Sequence, residues 1–144
     1  MAARLASPPV LTVGFAAGSR GEGVAYASVP EADGREASLV RVAFRCRPLP
    51  ALAGRDIGYA ALESVAADLL RRGQRSIELR VDDPALAADL AEHRPVPAAL
   101  TMPYVRLRCA LNRFGEASVI ATADRTTRDL TARARAEASL DVAA

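Results

Sequence analysis

The thirty residues from Ile57 to Leu86 constrain this chain more than any other stretch. Ile57, Ala61, Val65 and Leu69 recur at helical spacing, and Leu62, Ala66 and Leu70 widen the stripe into a face that must be buried. Gly73 follows Arg71-Arg72 as a helix stop, since glycine enters the left-handed region without a steric penalty. Ser76 to Val81 reads as one short strand, expected centrally in a sheet and parallel to the first strand through the helical crossover. Asp82-Asp83 ends it, and Pro84 suits the first position of a second helix.

The segments on either side complete an order. Val10 to Phe15 suits a first strand, Gly18 to Gly23 a tight turn, and Val24 to Val29 a second strand. Asp33-Gly34 is a hairpin signal. From Ser38 to Cys46, Leu39, Arg41, Ala43 and Arg45 alternate with Val40, Val42, Phe44 and Cys46, a third strand with one wet face. Pro48-Leu49-Pro50 breaks the chain before the Ile57 helix, for which Asp56 is the expected N-cap. Pro95 and Pro97 end the second helix. A third runs from about Pro103 to Phe114 and stops at Gly115, Ala117 to Ala123 makes a fifth strand, and a last helix covers Arg125 to Leu140. The expectation is an α/β chain with a mixed five-stranded sheet, in the order βββαβααβα, and helices packed on it. One domain fills residues 10–140, after a disordered lead-in at 1–9 and before a tail at 141–144. No internal repeat interrupts it.

Bulk properties exclude some functions. The formal charge of +2 across 144 residues does not by itself announce a nucleic-acid binder. Every basic residue is Arg and alanine is abundant, the composition of a GC-rich, bacterial-like genome. No apolar run approaches the ~20 residues that span a bilayer, and Pro8-Pro9 interrupts any leader, so a cytoplasmic protein without membrane contact is expected. Cys46 and Cys109 match no metal spacing and are expected as buried free thiols. His93 is the only histidine and is expected to face the carbonyls of a helix end. A Ser-His-Asp or Cys-His mechanism would rest on that single residue.

The order of elements resembles that of the ribonuclease H family over nearly all of residues 10–140. Gly14-Phe15-Ala16-Ala17-Gly18-Ser19-Arg20-Gly21 is similar to the family's first strand and turn, which usually reads YFDGASRG. Gly23 to Ala27 is similar to its second strand, and Tyr59, Ala61, Leu62, Gly73 and Asp82 fall in register in the middle stretch. The resemblance implies a ribonuclease H-like fold, and an enzyme that cuts the RNA strand of an RNA–DNA hybrid with two magnesium ions held by about four carboxylates. Two such ions, ~3.5–4 Å apart, need several anionic oxygens around them.

On that resemblance the first-strand Asp falls on Ala16, the helix Glu on Gly58, the last-helix Asp on or near Thr131, and only the strand-end Asp survives, as Asp82. The family's frequent His has no counterpart in Ala123 to Thr127. Substitutes are poorly placed. Glu63 points about 140° away from Gly58 at 100° per residue, and Asp68 lies about 15 Å further along the axis. Asp129 sits about 200° round the helix from Thr131. Asp124 is better placed but suits an N-cap, Glu22 lies in the turn, and Asp83 should turn to the other side of its strand or cap the helix at Pro84.

The leading expectation is therefore a catalytically degenerate ribonuclease H-like domain that binds nucleic acid, an RNA–DNA hybrid or double-stranded RNA, or serves assembly, with no cofactor. The resemblance leaves Ser19 and Arg20 positioned for phosphate, with Arg125 and Arg128 at the start of the last helix and Arg106 and Arg113 extending a basic face. Tyr26, Tyr59 and Tyr104 suit core packing rather than base stacking. One rival is a divergent nuclease using Mg or Mn at Asp82, with Asp124 and Asp129 or Glu22 as relocated acids. The other is a protein-binding or homodimerising domain, pairing through alanine-rich helices or a strand edge.

Overall fold

Strand β1 (Val10–Ala17) is the centre of one five-stranded sheet, and the chain builds outward from it in both directions. The structure, a computed structural model, describes residues 8–30, 37–46, 49–92 and 95–143. Strands β2 (Glu22–Val29) and β3 (Ser38–Arg45) add antiparallel on one side, with Val13 opposite Ala27 and Ala25 opposite Val42. Strand β4 (Ser76–Val81) lies parallel to β1 on the other side, Val13 beside Val81, and β5 (Glu116–Ala121) lies parallel to β4. The sheet order is β3-β2-β1-β4-β5. Helices α1 (Arg55–Arg71), α2 (Pro84–Glu92), α3 (Thr101–Asn112) and α4 (Arg125–Ala143) complete the expected βββαβααβα sequence.

Alternation along the strands divides the helices between two faces. Leu11 and Val13 of β1, Val40, Val42 and Phe44 of β3, and Ile77, Leu79 and Val81 of β4 face one way. Against them pack Tyr59, Leu62, Val65 and Leu69 of α1, Leu86 and Leu90 of α2, and Leu107 and Leu111 of α3. Each large apolar side chain buried there contributes roughly 1.5–3 kcal/mol relative to exposure. The opposite face holds a smaller cluster in which Val24 and Tyr26 of β2, with Ala16 beside them, meet Leu130 and Ala134 of α4. Tyr26 adds a hydrogen bond to Glu137, whose carboxylate also takes Arg41 of β3. None of the described helices is long and apolar enough to cross a membrane.

The boundaries follow local chemistry, with some corrections. Gly73 holds φ 85°, its N–H donates to the Leu70 carbonyl at 3.0 Å, and the Gln74 N–H reaches Leu69 at 3.1 Å, so α1 ends in a Schellman motif. Asp56 is not its N-cap. Gly54 takes that position at φ 85°, and Asp56 lies buried in the first turn, where its carboxylate accepts the Leu49 N–H at 2.8 Å. Helix α3 begins earlier than its apolar pattern suggests, because a 3₁₀ turn at Ala98–Leu100 runs straight into it. Pro103 fits its first turn, where N–H groups lack helical partners anyway. It also ends earlier, at Asn112, and Gly115 instead donates its N–H to the Arg75 carbonyl at 2.8 Å. Strand β5 spans Glu116–Ala121, and α4 runs on past Leu140 to Ala143.

Pro9 belongs to the fold rather than to a loose lead-in, since its carbonyl accepts the Glu78 N–H at 2.9 Å. Residues 1–7, Asp33-Gly34 and His93 lie outside the described residues. The thiols differ from expectation. Cys46 is half-buried, and Cys109 is exposed on the outer side of α3, because Leu107 and Leu111 take the inward positions of that helix.

Candidate functional site

Strands β1, β4 and β5 run parallel, so their carboxyl ends share one edge of the sheet. Between β1 and β4 the chain order reverses, and open α/β sheets place ligands in the crevice outside such a switch point. The β1–β2 turn, the first turns of α1 and α2, and the start of α4 border this edge.

Asp82 stands immediately after β4 and is exposed. Asp83, the next residue, caps α2. Its Oδ1 accepts the Leu86 N–H at 3.0 Å, which resolves its two expected roles in favour of the cap. Its other oxygen turns toward Gly58. A Cβ built on Gly58 would lie 3.1 Å from Asp83 Oδ2, 2.9 Å from Leu86 Cδ2 and 3.3 Å from Phe15 Cζ. Side-chain tips from β1, the β4–α2 turn and α2 thus crowd the position a Cβ would take on α1. Burial pushes the Asp83 carboxyl above its usual range, opposed by the Leu86 N–H and the nearby Arg55.

Arg55 belongs to a buried group that the sequence patterns did not single out. Its guanidinium pairs with Asp89 of α2, and the Tyr59 hydroxyl donates to the same Asp89 oxygen at 2.8 Å. Asp89 is only 4% exposed. Burial, then the hydrogen bond to Asp89, raises the Tyr59 phenol well above the usual tyrosine range. The signal was present: Asp89 sits three residues after Leu86 and beside Leu90, a carboxylate within an apolar stripe.

The opposite wall of the edge is α4. Asp124 caps it, accepting the Thr127 N–H at 2.8 Å and the Thr127 hydroxyl at 2.7 Å on one oxygen. Thr131 gives its hydroxyl to the Thr127 carbonyl at 2.9 Å. Both bonds from Thr127 hold the Asp124 carboxyl below its usual range. A depressed folded-state pKa means the cap contributes stability above the unfolded value and loses it as pH falls through the folded one. Asp124→Ala is thus expected to lower Tm at neutral pH, with the gap to the unchanged protein closing under acid; circular dichroism melts across pH check this. An equal gap at all pH values would show that the carboxylate charge plays no part.

The remaining acids do not converge here. Glu63 is half-buried and lines a groove with Cys46, Asp56 and Arg106, away from Gly58 rather than fully in solvent. Asp68 pairs with Arg71 and Arg72 near the far end of α1, at 3.0 and 2.6 Å. Asp129 is exposed and lies 3.8 Å from Arg125. Glu22 begins β2, exposed, beside Arg41 and Arg45. Among the described residues no three His, Cys, Asp or Glu side chains could hold a metal ion together. Two divalent ions require several convergent anionic oxygens, so the described residues do not fit them. The Cys46 thiol is pushed up to about 11 by burial and the facing Asp56 carboxylate, so near neutral pH it is protonated and a poor nucleophile.

Cations border the same region. Ser19 and Arg20 lie exposed in the β1–β2 turn, and Arg20 shares a groove with Arg45 and Cys46. Arg45 continues into a second groove that Arg106 also lines. Arg125 and Arg128 are exposed on the first turns of α4, whereas Arg113, expected on the same basic face, lies past the end of α3 at the opposite edge, where β4 and β5 begin.

This sheet order with this placement of helices is the ribonuclease H-like fold, and the chain has it. No protein-family model matches the sequence, and no curated protein does. The similar solved structures include an RNase H1 from the halophilic archaeon Halobacterium salinarum, at 19% identity and a TM-score of 0.65, covering 94% of this chain and 99% of that one. An RNase H1 isolated from compost by a metagenomic approach aligns at 11% identity and a TM-score of 0.70, over 94% of this chain and 98% of that one. The same compost RNase H1 in complex with an RNA/DNA hybrid aligns at 12% identity and a TM-score of 0.62, over 90% and 98%. At these identities the likeness is one of fold.

Proposed function

We propose that this ribonuclease H-like domain binds nucleic acid and does not cleave it. The observation that carries the reading is the closure around Gly58, where Leu86, Asp83 and Phe15 occupy the space of the acid the fold's nucleases place on this helix. The neighbouring acids support it, because Asp83 and Asp124 are committed to caps and, among the described residues, no set of three acids, His or Cys forms around Asp82. Binding is favoured by Arg20, Arg45 and Arg106 along adjoining grooves, and by the likeness to an RNase H1 seen with an RNA/DNA hybrid. Guanidinium groups suit phosphate oxygens, and such contacts give affinity without sequence preference.

The test uses a labelled RNA–DNA hybrid and double-stranded RNA, with Mg²⁺ or Mn²⁺ present. A gel shift that weakens steeply with salt, without cutting, is expected, because each neutralised phosphate contributes ~0.9 to the salt slope. Metal-dependent cutting abolished by Asp82→Asn would overturn the reading. No binding to any nucleic acid, together with a dimer by light scattering, would replace it with a self-associating module.

A further inference from the structure

A shallow depression beside Ala16 stands out because of what lines it. Its walls are Ala16, Ala17 and Gly18 at the end of β1, and Arg135, Ala138 and Ser139 of α4. Its volume is about 220 Å³, well beyond the ~30 Å³ share of one water. Ala16 and Ala138 contribute only methyl groups, and no carboxylate lines it. Ser139 spends its hydroxyl proton on the Arg135 carbonyl at 2.8 Å, which leaves Arg135 as the one charged wall.

We infer that this depression seats a phosphodiester group, gripped by the Arg135 guanidinium beside Ala16, the position that the resemblance matches to the first-strand carboxylate of the fold's nucleases. The inference rests on the nucleic-acid reading above and specifies where the backbone is held. A carboxylate-lined site binds phosphate only through bound cations. A site whose carboxylate position is a methyl group, and whose wall is a guanidinium, binds phosphate directly, with two parallel N–H donors matched to two oxygens.

Nearby charges leave Arg135 available. Among the described residues no carboxylate pairs with it, whereas Arg125 lies beside Asp129 and Arg133 lies over the Tyr26 ring at 4.7 Å. Glu137 is two residues further on, which is another side of the helix, and is held by Arg41 and Tyr26. Ser19 and Arg20 follow Gly18 directly, so the exposed turn continues the site along a nucleic-acid backbone.

Two readouts test the site. Inorganic phosphate titrated into the ¹⁵N-labelled chain is expected to shift the amides of Ala16, Ala17 and Gly18 and the Arg135 side chain, and Arg135→Gln to abolish those shifts. Arg135→Gln is also expected to weaken hybrid binding several-fold and reduce the salt slope by about one. Arg72→Gln, at the far end of α1 and paired with Asp68, should change neither. Arg135 is exposed, and a thermal melt of the variant verifies its folding. Phosphate shifts located elsewhere, or a hybrid salt slope unchanged by Arg135→Gln, would sink the inference while leaving the binding function intact. Should the protein bind no nucleic acid, the functional reading falls. The phosphate map then still decides the site, for it if the shifts centre on Ala16 to Gly18 and against it otherwise.

Discussion

Gly14→Ala is expected to destabilise the fold by about 3 kcal/mol or more, at the upper end for overpacking by one methyl group. Gly14 lies within β1, and α4 crosses it at backbone distance. A Cβ there would sit 2.2 Å from the Thr131 nitrogen and 2.4 Å from the Leu130 carbonyl carbon. These obstacles are main-chain atoms of a helix, so no rotamer change relieves the clash and α4 must lift as a unit. Lifting it opens the cluster of Val24, Tyr26, Leu130 and Ala134 and pulls Glu137 from Tyr26 and Arg41. Urea unfolding followed by circular dichroism measures the effect, with a lower midpoint and an unchanged slope. A loss under about 1 kcal/mol would mean that α4 rides further from the sheet than these distances state.

The second large effect belongs to Asp89. Asp89→Ala is expected to cost about 3 kcal/mol, because it strands the Arg55 guanidinium and the Tyr59 hydroxyl, the latter on a side chain with no solvent exposure. Arg55 Nε already has no partner, which leaves the group without slack. Replacing both charges by apolar groups, Arg55→Met with Asp89→Leu, should cost less than Asp89→Ala alone, since a buried ion pair roughly balances its own desolvation. Chemical denaturation of Arg55→Met, Asp89→Leu and the double variant gives the coupling. Additive losses would show that Arg55, whose side chain is 31% exposed, finds water as readily as Asp89.

The fold was legible in the sequence because its signals are local. The Ser38–Cys46 alternation sorts that segment as the structure does, with Val40, Val42 and Phe44 buried and Arg41 and Arg45 exposed. Gly73 stopped α1 where a left-handed residue was needed, and the crossover placed β4 parallel to β1. Asp56 was misassigned because a good capping residue one position into a helix looks the same in sequence as a cap. Only the approach of Leu49 showed that its carboxylate turns outward to the preceding loop. Cys109 was misread through composition, since cysteine is usually buried but helical phase puts this one outside.

The sequence placed Asp82 at the end of β4, and the resemblance set the family's other acids against Ala16, Gly58 and Thr131, because both depend only on identity and register. It could not show that Asp89, Tyr59 and Arg55 form one group, since they come together only when α2 folds against α1. Nor could it show Arg135 facing Ala16, a meeting made when α4 crosses the face of the sheet opposite α1. Local periodicity and turn chemistry thus determined the elements and their order. Packing between elements distant in sequence decided what surrounds Gly58 and which charges border it, because side chains with no sequence relation meet only through tertiary contact.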